Sequence, residues 1–90
     1  MTLRQYQALR ERVKSKPMYW QQRAMMDFGR RLNDYIEQYD LQDKAEQACV
    51  RHGIDLVDVI CGDEDLTFTE MTLILHEIGA KVDFEITEQD

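Results

Sequence analysis

The feature that most constrains this fold is a long run of apolar residues that recur every three or four positions, as on one face of an α-helix. Its members are Met25, Phe28, Leu32, Tyr35, Ile36 and Tyr39. Ser15 can cap such a helix, and Pro17 is tolerated in its first turn because the missing N–H would be unpaired there anyway. The run therefore predicts a helix over about 18–39. Gly29 lowers helix propensity by about 1 kcal/mol relative to Ala, so we expect a close helix crossing there.

The first 16 residues predict a short basic amphipathic helix. Thr2 can cap its start, and a narrow apolar stripe recurs at helical spacing along it. The stripe consists of Leu3, Tyr6, Leu9 and Val13. The remaining face is largely basic, through Arg4, Arg10, Arg12, Lys14 and Lys16. Contact with nucleic acid and docking on an acidic surface are both consistent with such a helix.

The middle of the chain, residues 40–62, predicts two short segments. Asp40 can open a helix that Gly53 ends, and its inner face consists of Ala45, Ala48 and Cys49. The segment 54–61 is ambiguous, because its β-branched residues favour a strand while its apolar spacing favours a buried helix. That spacing is carried by Leu56, Val59 and Ile60. Gly62 then ends the segment as a glycine after a helix does.

Residues 67–86 predict a capped helix followed by a strand. Thr67 and Glu70 have the spacing of a capping box, and Gly79 closes the helix. Its apolar face consists of Met71, Ile74, Leu75 and Ile78. The alternation that follows predicts a half-buried strand with Val82, Phe84 and Ile86 on one side. A lone strand in a helical protein needs a partner, so we expect it to pair with its twin in a homodimer.

The charge is divided unevenly along the chain. Residues 1–31 hold eight basic and two acidic residues, a net charge of +6. Residues 32–90 hold three basic and sixteen acidic residues, a net charge of -13. This asymmetry predicts either a basic arm for an acidic partner or two halves that attract each other.

The length of 90 residues fits one domain and leaves no room for separate cofactor and substrate domains. The sequence also lacks paired carboxylates, a phosphate-binding loop and a Ser/His/Asp set, so we expect neither an enzyme nor a bound cofactor. Residue types that bind zinc occur, but not at the spacing of a zinc finger, and a buried cysteine with a surface histidine is the favoured interpretation. These residues are Cys49, His52, Cys61 and His76.

The cellular location is also constrained. No apolar run approaches the roughly 20 residues of a membrane span, and the N-terminus lacks the apolar core of a signal peptide. Two cysteines are too few for a disulfide framework. We therefore expect a cytoplasmic protein without membrane contact.

Three segments carry a family resemblance: "PMYWQQRAMMDF" from Pro17, "GDEDLTFTEMTLILHEIGA" from Gly62, and the closing "KVDFEI". Together they resemble the lambda-repressor-like, or XRE, helix-turn-helix family of small transcription regulators and antitoxins. The resemblance covers about residues 17–86. It implies a mainly α fold, a bundle of four to five helices with a short C-terminal β-strand. The chain then divides into a basic helix (1–16), a helix-turn-helix-like domain (17–86) and an acidic tail (87–90).

The resemblance places the recognition helix on about 53–61 and the preceding helix on about 41–49. Members of the family present polar or basic residues to DNA at positions that fall here on His52, Gly53, Asp55 and Asp58. An aspartate can accept a hydrogen bond from cytosine N4. Phosphate contacts nevertheless supply most of the non-specific affinity, and the nearest cations are Lys44 and Arg51. The recognition helix is therefore degenerate.

Two functions remain open at this point. The first is a small DNA-binding regulator or antitoxin-like protein that contacts double-stranded DNA. Its candidate contacts are Arg4, Arg10, Arg12, Lys14, Lys16, Lys44, Arg51 and His52. The alternative is a module that no longer reads DNA and binds a protein, such as a cognate toxin or a transcription component, by an acidic face. That face consists of Asp55, Asp58, Asp63, Glu64 and Asp65.

Overall fold

A computed structural model describes residues 2–14 and 16–89, without the side chains of Val13 and Lys14. Over these residues the chain is mainly helical and forms no β-strand. The helices are α1 (Leu3–Lys14), α2 (Pro17–Tyr39), α3 (Gln42–Arg51), α4 (Leu56–Ile60) and α5 (Phe68–Glu77). The mainly α prediction is confirmed. The predicted cap at Ser15 and the side chain of Lys14 lie outside what the structure describes.

The long helix α2 has nearly the bounds that its apolar spacing predicts, and Pro17 lies in its first turn. Its end differs from the prediction. Asp40 does not open α3 but ends α2 in the left-handed conformation, at a φ of 53°. Aspartate is one of the few residues other than glycine that tolerate this conformation. The helix α3 instead begins after Leu41, which makes no side-chain cap.

Gly29 lies where α2 crosses α4, as predicted. A Cβ atom placed on Gly29 would lie 2.6 Å from the carbonyl oxygen of Ile60 and would also clash with that of Val59. Because both obstacles are backbone atoms, neither can rotate away. The absence of a side chain at Gly29 therefore allows the two helix backbones to approach each other.

The hydrophobic core lies between α2, α3, α4 and α5. Its most deeply buried large side chains are Ile36, Cys49, Val59 and Ile74, each at most 2% exposed. The predicted inner faces of α3 and α5 lie on this core, with Ala45 and Ala48 from α3 and Leu75 and Ile78 from α5. Burial of these side chains is the main term that holds the four helices together.

The helix α5 begins with the predicted capping box. The Thr67 hydroxyl accepts a hydrogen bond from the Glu70 N–H at 3.1 Å, and the Glu70 carboxylate accepts one from the Thr67 N–H at 3.0 Å. Gly79 follows the helix with a φ of 79°, as predicted for a closing glycine. Thr67 and Glu70 thus fix the start of α5 by local hydrogen bonds alone.

The predicted C-terminal strand is not formed in the single chain. Residues 81–89 are neither helical nor in a strand. Val82 is half-buried against the core, the ring of Phe84 lies 5.1 Å from that of Phe68, and Ile86 is 98% exposed. A strand is defined by pairing, and no neighbouring strand exists among the described residues. The segment therefore has no regular secondary structure in the single chain.

The helix α1 lies outside the core. Thr2 caps it as predicted, and the cap is again reciprocal, since Thr2 and Gln5 each donate a backbone N–H to the other's side chain. The described side chains of its apolar stripe are exposed, Leu3 at 73%, Tyr6 at 54% and Leu9 at 46%. None of the described helices combines the length and the apolarity that crossing a membrane requires.

Candidate functional site

The helices α3 and α4 are joined by a tight turn that contains Gly53, at the place where the sequence predicts the reading element. The helix α4 is shorter than predicted, with five residues, and Gly62 follows it. The Asp55 carboxylate caps α4 by accepting a hydrogen bond from the Val57 N–H at 2.9 Å. Leu56 and Val59 are buried, as expected for the packing side of this helix. Asp55 is therefore exposed and also stabilises the start of α4.

Two candidates in the turn, Arg51 and His52, lie near Glu77 of α5. Arg51 forms an ion pair with Glu77, whose side chain is 25% exposed. The second oxygen of Glu77 is buried without a hydrogen-bond donor, and His52 Nε2 lies 3.7 Å from it. A partly buried carboxylate attracts nearby cations more strongly than an exposed one does. The Arg51 guanidinium is therefore paired with α5, while its side chain remains 65% exposed.

A groove lies between α3 and α4, with a volume of about 510 Å³. Its exposed apolar residues are Val50 and Val57, 75% and 66% exposed, and its acidic residues are Glu46 and Asp55. No Lys or Arg is among the described residues that line it. We call this surface the α3–α4 groove. Asp58 is exposed on α4 next to Val57, and Lys44 is exposed on α3 outside the groove.

The other predicted acidic residues lie on a different surface. Asp63, Glu64 and Asp65 follow α4 and form one side of a groove of about 540 Å³, which we call the methionine groove. Its other side is the start of α2, with Met18, Met25 and Met26. The predicted acidic face is thus divided between two grooves.

The loop that carries these acids is held against α2 at two points. Gly62, with a φ of 77°, lies so close to α2 that an added Cβ atom would be 2.9 Å from the Met26 Cα. The Gln21 side-chain amide donates a hydrogen bond of 2.7 Å to Asp65. Both contacts join the loop to α2 across the groove. They therefore fix the distance between the two sides of the groove.

The basic candidates of the first 16 residues lie on or next to α1, outside the bundle. Arg4, Arg10, Arg12 and Lys16 are exposed. They are separated in sequence and in packing from α4, because none of the α1 side chains that the structure describes belongs to the core. The structure therefore does not bring the basic candidates and the predicted reading helix together into one described surface.

The cysteines and histidines do not form a metal site in the described part of the chain, where no group of three or more His, Cys, Asp or Glu residues is placed to hold an ion. Cys49 is buried, and its pKa is raised, first by burial and then by the negative charges of Asp55 and Glu77. A raised thiol pKa disfavours the reactive thiolate. Cys61 is exposed and lines the methionine groove.

Sequence reasoning missed two features of this region. One is the ion pair between Arg51 and Glu77, which is 26 residues further on in the chain. The other is the methionine groove, since Met25 and Met26 have a spacing that equally fits the core. The sequence feature that could have indicated the methionine groove is Gly62, because a glycine allows two backbones to approach closely.

Comparisons of the chain with models of known protein families, with curated proteins and with solved structures found no match.

Proposed function

We propose that this chain is a protein-interaction module on a helix-turn-helix scaffold of the lambda-repressor-like type, and that its α3–α4 groove binds a basic, partly apolar segment of a partner protein. The observation that carries the proposal is the chemistry of the groove. Val50 and Val57 are exposed beside Glu46 and Asp55, which line the same groove, and Asp58 is exposed next to Val57 at the edge of this surface. Exposed apolar residues with a rim of one charge are typical of a protein-binding surface.

Electrostatics favours a protein over DNA at this groove. A duplex carries one negative charge for about every 1.7 Å of its axis, so carboxylates on α4 would be repelled by it. Arg51, a nearby cation that could offset the repulsion, forms an ion pair with Glu77. A basic peptide meets the opposite situation, because its Lys and Arg residues would be attracted to the same carboxylates while its apolar residues cover the valines.

The C-terminal segment supports a homodimer as part of the same proposal. Phe84 and Ile86 are 71% and 98% exposed, and Val82 anchors the start of the segment on the core. Pairing of residues 82–86 with the same residues of a second chain would satisfy the backbone groups of both and cover these side chains. Such a dimer presents two α3–α4 grooves to a partner.

A second candidate function is supported by α1. Arg4, Arg10, Arg12 and Lys16 are exposed on a segment outside the bundle, and such a segment can contact phosphates without using α4. Binding of this kind would be independent of DNA sequence and steeply dependent on salt. The protein would then still be a DNA-binding regulator, but it would bind DNA through α1 and not through the recognition helix.

Fluorescence anisotropy with two labelled probes separates these functions. One probe is a synthetic helical peptide with Arg and Leu at amphipathic spacing, and the other is a random DNA duplex. Both are titrated with the purified chain from about 50 to 200 mM salt, the range over which phosphate contacts weaken. We expect the peptide to bind, and the charge reversals Glu46→Lys and Asp58→Lys together to abolish its binding.

The matched control reverses two exposed acids that lie outside the groove and outside residues 82–86, Asp34→Lys and Glu88→Lys, which changes the net charge by the same amount. Equal loss of peptide binding in both double variants would contradict a specific groove. Salt-sensitive binding of the duplex that Arg4→Ala with Arg10→Ala removes, without binding of the peptide, would replace the first proposal by the second.

A further inference from the structure

The apolar stripe of α1, in the side chains that the structure describes, is largely uncovered by its own chain. Leu3, Tyr6 and Leu9 are all exposed, although the methionine groove of the same chain begins only a few residues further on, at Met18. A helix of 12 residues is marginal in water unless another surface covers its apolar face. The stripe therefore needs a surface that a single chain does not supply.

The charges beside the stripe are positive. Arg10 and Arg12 flank it along α1, whereas Arg4 and the acidic Glu11 lie on the opposite side of the helix, since seven residues make about two turns. An arginine side chain can cover apolar surface with its stem while its guanidinium reaches a carboxylate. A matching site would combine an apolar floor with an acidic rim.

The methionine groove has this composition. Met18 and Met26 are 67% and 59% exposed on its floor, and Asp63, Glu64 and Asp65 form its rim. The described residues that line it include no Lys or Arg. Methionine side chains are flexible and adapt to an incoming apolar face, and docking of an amphipathic helix into such a groove is a common mode of recognition.

We infer that α1 of one chain docks into the methionine groove of a second chain, and that the second chain returns the contact with its own α1. The stripe Leu3, Tyr6 and Leu9 lies on the methionines, and the two flanking arginines lie on the acidic rim. Reciprocal exchange gives two identical contacts related by a two-fold axis, so the assembly closes as a dimer. The inference uses a different surface from the α3–α4 groove and does not rest on it.

The native Cys61 permits a direct test, because it is exposed in the methionine groove while Cys49 is buried. A size-tagged chain carries Leu9→Cys and Cys61→Ser, and it is mixed with the unmodified chain. Diamide oxidises a pair of adjacent thiols to a disulfide and is itself reduced to the hydrazine. The mixed dimer is then measured over time on a non-reducing gel. A dimer formed only through residues 82–86 would not bring these two positions together.

The matched control carries Glu11→Cys with Cys61→Ser. It places the thiol on the opposite side of α1, since two residues turn an α-helix by about 200°. We expect the Leu9→Cys chain to cross-link to Cys61 about a hundredfold faster than the control, because docking raises the effective concentration of the two thiols. Asp63→Lys with Glu64→Lys in the chain that carries Cys61 should abolish the faster cross-linking of the Leu9→Cys chain. These changes leave the hydrogen bond between Gln21 and Asp65 in place.

Three results would overturn the inference. Equal rates for Leu9→Cys and Glu11→Cys would show that the stripe does not face the groove. An unchanged rate after the charge reversals would show that the acidic rim does not attract α1. A chain with both Leu9→Cys and Cys61 that forms an internal disulfide at every dilution would show that α1 closes on its own groove. Circular dichroism of each variant confirms that the bundle is folded, as expected for changes outside the core.

Discussion

The helices α1 and α5 begin in the same way and lie in opposite surroundings. Each has a threonine cap with a reciprocal hydrogen bond from a residue three positions later, Gln5 in α1 and Glu70 in α5. Each also has an apolar face. In α5 that face is buried, with Ile74 0% exposed, whereas in α1 Leu3 is 73% exposed. Local hydrogen bonds therefore define where a helix starts, and only its packing partners decide whether it stabilises the fold.

This difference assigns different tasks to the two helices. The apolar side chains of α5 hold the bundle together, so their loss should lower the free energy of unfolding. Those of α1 are available for binding, so their loss should affect association and leave the bundle intact. The following variants test this contrast in order of decreasing effect. All unfolding measurements are made with dilute protein, since association would add stability by mass action.

The largest contrast is expected between Ile74→Ala and Leu3→Ala. Removal of a fully buried Ile side chain leaves a cavity and costs about 3 kcal/mol, whereas truncation of an exposed side chain changes stability by less than about 0.5 kcal/mol. Urea unfolding followed by circular dichroism measures both. A loss of more than about 1 kcal/mol for Leu3→Ala would show that α1 belongs to the core after all.

The crossing of α2 and α4 provides the second test. Alanine is favoured over glycine in a helix by about 1 kcal/mol, so Gly29→Ala would stabilise an uncrowded helix. Here the added methyl group meets the backbone of Val59 and Ile60, and we expect a net loss of about 2 kcal/mol. The counterpart Ala8→Gly should lower the helix content of α1 without moving the urea midpoint. A stabilising Gly29→Ala would contradict the close crossing.

The two caps give a smaller contrast. Thr67→Ala removes the hydroxyl that accepts the Glu70 N–H, and loss of such a cap costs about 1 kcal/mol. Thr2→Ala removes the same bond from α1, where we expect faster amide hydrogen exchange in the first turn and an unchanged unfolding midpoint. Equal shifts of the midpoint in both variants would mean that α1 and α5 unfold as one unit.

The smallest expected effect is a pH dependence that α5 has and α1 lacks. The Thr67 N–H donates a hydrogen bond to the Glu70 carboxylate, and this bond is the main cause that lowers the pKa of Glu70. A pKa that is lower in the folded chain contributes stability above the unfolded value of about 4.3, and this stability is lost as the pH falls through the folded value. Gln5 in α1 does not titrate.

Glu70→Gln keeps an acceptor at the same position and removes the titration. Unfolding midpoints between pH 6 and about pH 3, the range that spans an ordinary Glu pKa, should therefore fall less steeply with acid in this variant. Exposed Glu85→Gln serves as the control and should leave the slope unchanged. A Glu70→Gln slope equal to that of the unmodified chain would contradict the contribution of the ionised capping box.

Much of the fold could be predicted because its signals are local. The capping box at Thr67 needs only a residue three positions away, and the inner face of α3 follows from the spacing of Ala45, Ala48 and Cys49. Gly29 could be placed at a crossing because glycine is otherwise unfavourable in the middle of a helix. The partner of that crossing, α4, could not be named from the spacing alone.

The remaining features depend on contacts between distant residues. The sequence places Arg51 on the reading side of the turn, but Glu77 in α5 holds it, and only the packed bundle brings these side chains together. Gln21 and Asp65 are likewise 44 positions apart. The strand at Val82 was predicted from alternation, but alternation does not supply the second strand that pairing requires.

The measurement that tests the central claim most directly is an NMR titration of the isotopically labelled chain with the basic amphipathic peptide and, separately, with the random duplex. The account predicts that the peptide shifts the backbone signals of Glu46, Val50, Val57 and Asp58, and that the duplex leaves these signals in place. Peptide-induced shifts confined to other residues, or shifts of α4 on addition of the duplex, would contradict the assignment of the α3–α4 groove to a protein partner.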